Sequence, residues 1–173
     1  EFVFVKKETT LGTYAAPAAA DAILANMTTP QFTPQRRRVP VKTSLRSQLT
    51  KVNGRKMGTW AIEKYLIPSG TAGTPPDDTD LWEAVLGDIT DGESDVVYAL
   101  TKEPGISLSI LRQFGPHQEA VCGAVPGKAT ITFGGEENNE PKVKFEGSCY
   151  DHYLSGTDVL TAEVSASDDI VVT

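Results

Sequence analysis

The sequence predicts a mainly β protein: an antiparallel β-sandwich or partly closed barrel with one short flanking α-helix and a long projecting loop or arm. Three observations carry this. From Asp95 onward, short runs that alternate apolar and polar residues follow one another between Gly, Pro and Asn clusters, the signature of half-buried strands. One stretch, Thr79 to Leu86, has helix signals at both ends. And residues 35–56 carry eight of the sixteen Lys and Arg, no Asp or Glu, and only sparse apolar residues.

Phe2, Val3, Phe4 and Val5 read as an edge strand or an ordered arm, and residues 8–20, rich in Thr, Gly, Ala and Pro, as extended coil. Asp21 to Ala25 is a short apolar patch at the start of a strand. Thr28 to Thr33 is a strand that Pro30 and Pro34 confine to an edge, because Pro cannot donate to a ladder. Lys56 to Ile67 is the best strand of the first half. Trp60, Ile62 and Leu66 share one face and Thr59, Glu63 and Tyr65 the other, while Lys64 breaks the apolar face.

Pro68-Ser69-Gly70 ends that strand. After the connector 69–76, Asp77, Asp78 and Thr79 offer N-cap oxygens and acids to the first helical turn, and Gly87 is a C-terminal stop. Leu81, Trp82, Val85 and Leu86 form the apolar stripe, which the sheet carrying Trp60 should cover. Val96–Leu100 and Ile106–Leu111 follow as strands, then Gln118–Ala124 and Lys128–Phe133, separated by Pro126-Gly127. Residues 134–139 are a polar turn and Lys142–Tyr150 its hairpin partner. Six or more short strands and one helix suit a sandwich or partly closed barrel.

At 173 residues the chain reads as one domain. Within it, 1–27 is an N-terminal arm or edge segment, 35–56 a basic projecting loop, and 155–173 a C-terminal arm or last strand. Since the chain does not open with Met, residues are expected to precede Glu1. Lys6, Lys7 and Glu8 directly follow the first apolar residues, which excludes a signal peptide there, and no apolar run is long enough to span a bilayer. The formal charge of −7 argues against general affinity for nucleic acid. Cys122 and Cys149 sit in strand-like text and are expected as two buried, reduced thiols.

Charge is segregated. Arg36, Arg37, Arg38, Lys42, Arg46, Lys51, Arg55 and Lys56 form the basic stretch. From Asp77 to Glu103 lie nine acids against one Lys, among them Asp77, Asp78, Asp80, Asp88, Asp91 and Glu93. A basic arm and an acidic lobe on one chain point to head-to-tail self-association, since opposite potentials steer encounter and fix register. The alternative is a solvated basic loop.

No catalytic constellation stands out. His117 and His152 have no second His or Cys at ligand spacing. Asp151-His152 with Ser148 or Ser155 is a weak triad, because triads are assembled in space rather than in sequence. The nucleophile elbow is absent, and Gly70 to Thr74 lacks the Lys of a phosphate loop. Glu136-Glu137 and Asp168-Asp169 read as solvated turns. The basic stretch contains no aromatic residue with which to stack bases. No enzyme activity, cofactor or metal is expected.

The order of features resembles the tail tube proteins of long-tailed, siphovirus-like bacteriophages. The likeness runs over residues 10–150. It begins with Gly12-Thr13, Pro17 and Ala20 to Leu24. Its most specific part is the strand Trp60 to Leu66, then Ser69 to Pro76 before Leu81-Trp82 and Val85-Leu86-Gly87. It continues through Val96 to Tyr98, Ile106 to Leu111, Ala120 to Ala124, Ala129 to Phe133 and Val143 to Gly147. Many relatives carry a second domain that this chain lacks, and Arg36 to Arg38 map to no motif of that family.

The resemblance implies a structural virion protein, not an enzyme: a major tail tube protein forming stacked hexameric rings, a hollow conduit for phage DNA during genome ejection. It implies assembly in the host cytoplasm and a place in the virion tail. The implied partners are further copies of the chain and other tail proteins such as the tape measure, terminator and distal tail. DNA would pass without specific binding along an acidic wall, and no membrane is involved. The alternatives are a neck, adaptor or distal-tail ring protein of the same fold, or a carbohydrate-binding β-sandwich module using Trp60, Trp82 and the tyrosines. The expected core anchors are Trp60, Ile62, Leu66, Leu81, Trp82 and Val85.

Overall fold

Alternation of side chains along the strands builds two faces, and both are used. The computed structural model describes residues 1–38, 51–101, 105–114, 117–134 and 140–154, with backbone alone at 33–38, 51–56 and 152–154. In chain order the strands are β1 (Phe2–Lys7), β2 (Ala22–Ile23), β3 (Asn26–Arg38) and β4 (Lys51–Tyr65). The helix α1 (Thr79–Leu86) follows, then β5 (Gly87–Asp91), β6 (Val96–Leu100), β7 (Leu108–Phe114), β8 (His117–Thr132), β9 (Lys142–Cys149) and β10 (Asp151–Leu154). All pairings are antiparallel. The main sheet runs β2-β1-β7-β8-β9-β4-β3, β10 pairs with β8, and β5-β6 form a separate two-stranded sheet.

The turn of the sheet is made by β8. Its first half pairs with β7 and β10, its second half with β9. The sequence reads this as two strands with a break at Pro126-Gly127, yet one strand of sixteen residues runs through. Pro126 stands opposite Gly147, and the ladder shifts register between Pro126 and Lys128. A residue without an N–H is tolerated at such a bulge, and a bulge bends the strand.

The two ends of the sheet meet without a ladder, so the barrel is only partly closed. Side chains seal this seam. The Met27 N–H donates to Glu1 Oε1 at 3.2 Å, and Arg112 donates to the Met27 carbonyl at 2.8 Å. Arg112 also lies 3.5 Å from Glu119 and 3.6 Å from Glu1, and its guanidinium stacks 4.7 Å from the centre of the Phe114 ring. Of the two readings of the N-terminal residues, a strand forms, but one place in from the edge: β1 lies between β7 and the two-residue β2, and Val3, Phe4 and Val5 are buried.

The main core is Val3, Val5, Ile23, Met27, Trp60, Ile62, Leu81, Ala84, Leu108, Ile110, Val121, Ala124, Val143, Phe145 and Cys149, with Leu66, Trp82 and Val85 partly buried against it. Ala84 takes a slot next to Leu81 that the apolar stripe did not assign. Trp82 packs edge-on to Phe145 at 5.0 Å. Gly87 closes the helix at φ 108°, a left-handed conformation that a residue with a Cβ adopts only under strain.

Asp78 is a correction. It occupies the N-cap position, but its side chain caps no backbone N–H. Its carboxylate turns inward, 3.2 Å from Lys64 Nζ, and accepts from Trp82 Nε1 at 3.0 Å. The sheet and the helix together leave Lys64 almost no solvent, and Asp78 is the counter-charge that makes its burial tolerable.

Candidate functional site

The described part of the arm is a two-stranded antiparallel ribbon. β4 pairs with β9 only from Gly58 to Tyr65, so residues before Gly58 have β3 as their ladder partner. Thr33 stands opposite Met57, Arg36 opposite Asn53, Arg37 opposite Val52 and Arg38 opposite Lys51, with a bulge between Pro34 and Arg36. Charged residues, prolines and bulges are the devices that keep an edge ribbon from pairing at random. Arg36, Arg37, Arg38, Lys51 and Arg55 are placed on this ribbon by backbone register. Lys42 and Arg46 lie outside the described residues.

The expected acidic lobe divides. Asp77, Asp88, Asp91 and Glu93 are exposed, the last three on or beside the β5–β6 hairpin. Asp78 is buried against Lys64 and is no part of any outer surface. Asp80 is half-buried, 3.4 Å from Lys7, which also hydrogen-bonds Glu83. That cluster clasps β1 to α1. Burial works against the Lys7 charge, but the bond to Glu83 and the field of Asp80 outweigh it and raise Lys7 above its usual value. Burial pushes the Asp80 carboxyl up, with Lys7 pulling the other way. The exposed acids of the hairpin sit beside two apolar residues, Val97 and Leu100, the latter 82% exposed.

Two stretches of sheet edge are open among the described residues. β3 pairs only with β4, and once past the seam at Met27 and Thr29 no described strand lies outside it. The second half of β8, residues 125–132, pairs with β9 but has lost β7, whose ladder ends at Ala124. Val125 and Ile131 on that stretch, and Phe133 just past it, are exposed.

The two tryptophans do not serve the carbohydrate-binding alternative. Trp60 is 3% exposed and gives its indole N–H to the Ser148 carbonyl, and Trp82 gives its own to Asp78, so neither presents a platform to a sugar. Among the described residues no three His, Cys, Asp or Glu gather to hold a metal, and no helix is long and apolar enough to cross a membrane. Ser155, one candidate of the weak triad, lies outside the described residues, as do 136, 137 and the whole expected arm 155–173. Cys122 and Cys149 are both buried and form no disulfide. Burial and the neighbouring Cys122 push the Cys149 thiol up to about 12.

Sequence reasoning missed three features. Lys64 was visible as a charge in phase with Trp60, Ile62 and Leu66, but not with its partner. The strand β5 is hidden in acidic text. The Glu8 carboxylate, which accepts four hydrogen bonds from residues 12, 107, 109 and 123, left no local signal.

No protein-family model matches the chain, and no curated protein matches it in sequence. In overall shape it is similar to solved chains. A chain of the anti-feeding prophage baseplate, 6-fold symmetrised, has a TM-score of 0.49 at 12% identity, over 90% of this chain and 91% of that one. A chain of the PVC sheath–tube complex, an extracellular contractile injection system in its extended state, gives 0.46 at 11%, over 90% and 88%. The SPP1 tail tube gives 0.45 at 11%, over 96% and 85%.

Proposed function

We propose that this chain is the repeating subunit of a phage tail tube, a non-enzymatic structural protein whose copies close into hexameric rings that stack into a hollow conduit for DNA. The observation that carries the reading is the pair of open edges on one sheet, residues 30–38 of β3 and 125–132 of β8. An open edge is a liability in a monomer, and a second copy resolves it by adding a strand. The two edges differ, so the contact is heterologous: with rotational closure it makes a ring. The residue-level resemblance to tail tube proteins gives the same answer independently.

Stacking is assigned to the β3–β4 ribbon. Its Arg36, Arg37, Arg38, Lys51 and Arg55, together with Lys42 and Arg46 of the same basic stretch of sequence, meet Asp77, Asp88, Asp91 and Glu93 of a copy in the next ring. Asp78 and Asp80, held by Lys64 and Lys7, stay out of that contact. The tape measure, terminator and distal tail proteins are the further partners in the virion tail, assembly takes place in the bacterial cytoplasm, and DNA passes without specific binding. Negative-stain electron microscopy of the purified protein tests the reading. Long tubes are expected. Closed single rings would make it a neck, adaptor or distal-tail component, and dispersed monomers at assembly concentrations would end the proposal.

A further inference from the structure

Residues 8–21 link β1 to β2 and cross the outer face of the β1-β7-β8 layer. That face is opposite the main core, because Phe4 alternates with Val3 and Val5. Phe4, Leu111 and Ala120 form a second, separate cluster there, covered by Tyr14 and Ala22. The covering segment contains no strand and only a 3-10 turn at Ala19–Asp21. Apart from Tyr14, buried Pro17 and the exposed Leu11, it is built of Thr, Gly, Ala and polar residues. Its apolar grip is therefore small.

What holds it is polar: Lys6 Nζ donates to the Ala16 carbonyl at 3.1 Å and lies 3.4 Å from Asp21, and the remaining bonds gather on Glu8. Glu8 Oε2 accepts from the Gly12 N–H at 2.8 Å and Ser107 Oγ at 2.7 Å, and Oε1 accepts from Ser109 Oγ at 2.8 Å and the Gly123 N–H at 2.7 Å. Ser109 Oγ in turn accepts from the Ala15 N–H at 2.9 Å. The site has a structural origin. Between Leu108 and Ile110 the β7–β8 ladder shifts register, with two residues of β8, Cys122 and Gly123, against one of β7. Such a bulge frees an N–H from the ladder, and Glu8 takes the one at Gly123. Gly123 has φ +60°, and a Cβ there would meet Tyr150 at 2.6 Å and the Gly12 backbone at 3.3 Å, so only Gly lets the segment come this close.

We infer that residues 8–21 are a releasable flap, latched by the Glu8 carboxylate over the outer face of β1, β7 and β8. Both ends are tethered through the β1–β2 ladder, where Val3 faces Ile23 and Phe4 faces Ala22, so the flap opens and recloses in place. The main core shares no residue with the cluster beneath it and stays folded. The latch sets whether the face carrying Phe4, Leu111 and Ala120 meets solvent. Cys122 lies in phase with Ala120 on that face, next to Tyr14, whose hydroxyl burial and the nearby Cys122 push up to about 12. Cys149 lies in the main core. The inference is independent of tube formation.

The two thiols make the test. Native protein is treated with iodoacetamide and the alkylation of each cysteine is followed by peptide mass spectrometry. Glu8→Gln keeps the side chain's size but turns an NH2 toward one of the two donor pairs. It should speed alkylation of Cys122 tenfold or more and leave Cys149 at its wild-type rate. Ser109→Ala keeps the carboxylate and removes one donor, and should give a smaller rise in the same ratio. If Glu8→Gln does not fold, the ratio in Ser109→Ala decides. An unchanged Cys122 rate, or Cys122 and Cys149 rising together, would overturn the inference, the latter because the flap would then open only with the whole fold.

Discussion

Lys64 and Asp78 put opposite charges 3.2 Å apart with side chains 4% and 2% exposed. A buried pair of this kind gains little over an apolar pair of equal volume, but removing one partner strands the other charge. Asp78→Asn still offers an oxygen to Trp82 Nε1 but leaves the Lys64 ammonium without a counter-charge. It should destabilise the fold by about 3–5 kcal/mol. Lys64→Met on top of it should recover much of that loss. Urea unfolding of the two single variants and the double variant measures the coupling, and strictly additive losses would show that the pair does not act as a unit. Half of this site was legible. The in-phase Lys64 was a visible break in an apolar face, whereas Asp78 carried the pattern of a helix cap, and only the packing of α1 on β4 decides between cap and counter-charge. Glu8 was illegible because its four donors lie up to 115 residues away. The cysteines were legible as buried thiols, and the fold adds the reason they stay apart. Cys122 faces the flap and Cys149 the main core, on opposite sides of the sheet. Non-reducing mass spectrometry of freshly prepared protein should find no linked 122–149 peptide. Finding one would mean that the strands do not have this phase.

At the scale of elements, α1 was predicted to its ends because its signals are local: acids before it, Gly87 after it and an apolar stripe between. Its job is to close one side of the core. Trp82 lies across Phe145 at 5.0 Å and 6.3 Å from Tyr98. Trp82→Ala should therefore cost about 3 kcal/mol, the low end for truncating a core aromatic, because the ring is only half-buried. Denaturant unfolding of a soluble, unassembled form checks this, and a loss below about 1 kcal/mol would remove α1 from the core. The long strands were harder to read. β8 looked like two strands because Pro126-Gly127 is strong turn text, and pattern reading cannot see that a bulge opposite Gly147 absorbs the proline. β5 was missed because Asp88 and Asp91 mask a strand whose pairing with β6 supplies what its composition lacks. Tertiary pairing overrides weak β propensity in both cases.

At the scale of the whole molecule, the chain keeps its positive and negative excess on different projections. Arg36, Arg37, Arg38, Lys51 and Arg55 follow the β3–β4 ribbon, and Asp88, Asp91 and Glu93 the β5–β6 hairpin. Each exposed ion pair is worth only about 0–1 kcal/mol, yet a contact repeated around a ring and along a stack multiplies that small amount, and opposite potentials also speed encounter. Because the ribbon's pairing stands apart from the β4–β9 ladder, changing its charge should leave the main core as it is. Replacing Arg36, Arg37 and Arg38 with Glu should thus preserve the far-ultraviolet circular dichroism spectrum while abolishing or sharply slowing polymerisation followed by light scattering. Added salt should slow wild-type assembly as well, since exposed charges are screened over about 8–10 Å. It should have less effect on the triple variant, in which the attraction is already lost. Normal tubes from a folded triple variant would return the ribbon to a solvated hairpin and leave the open edges of β3 and β8 to carry the assembly alone.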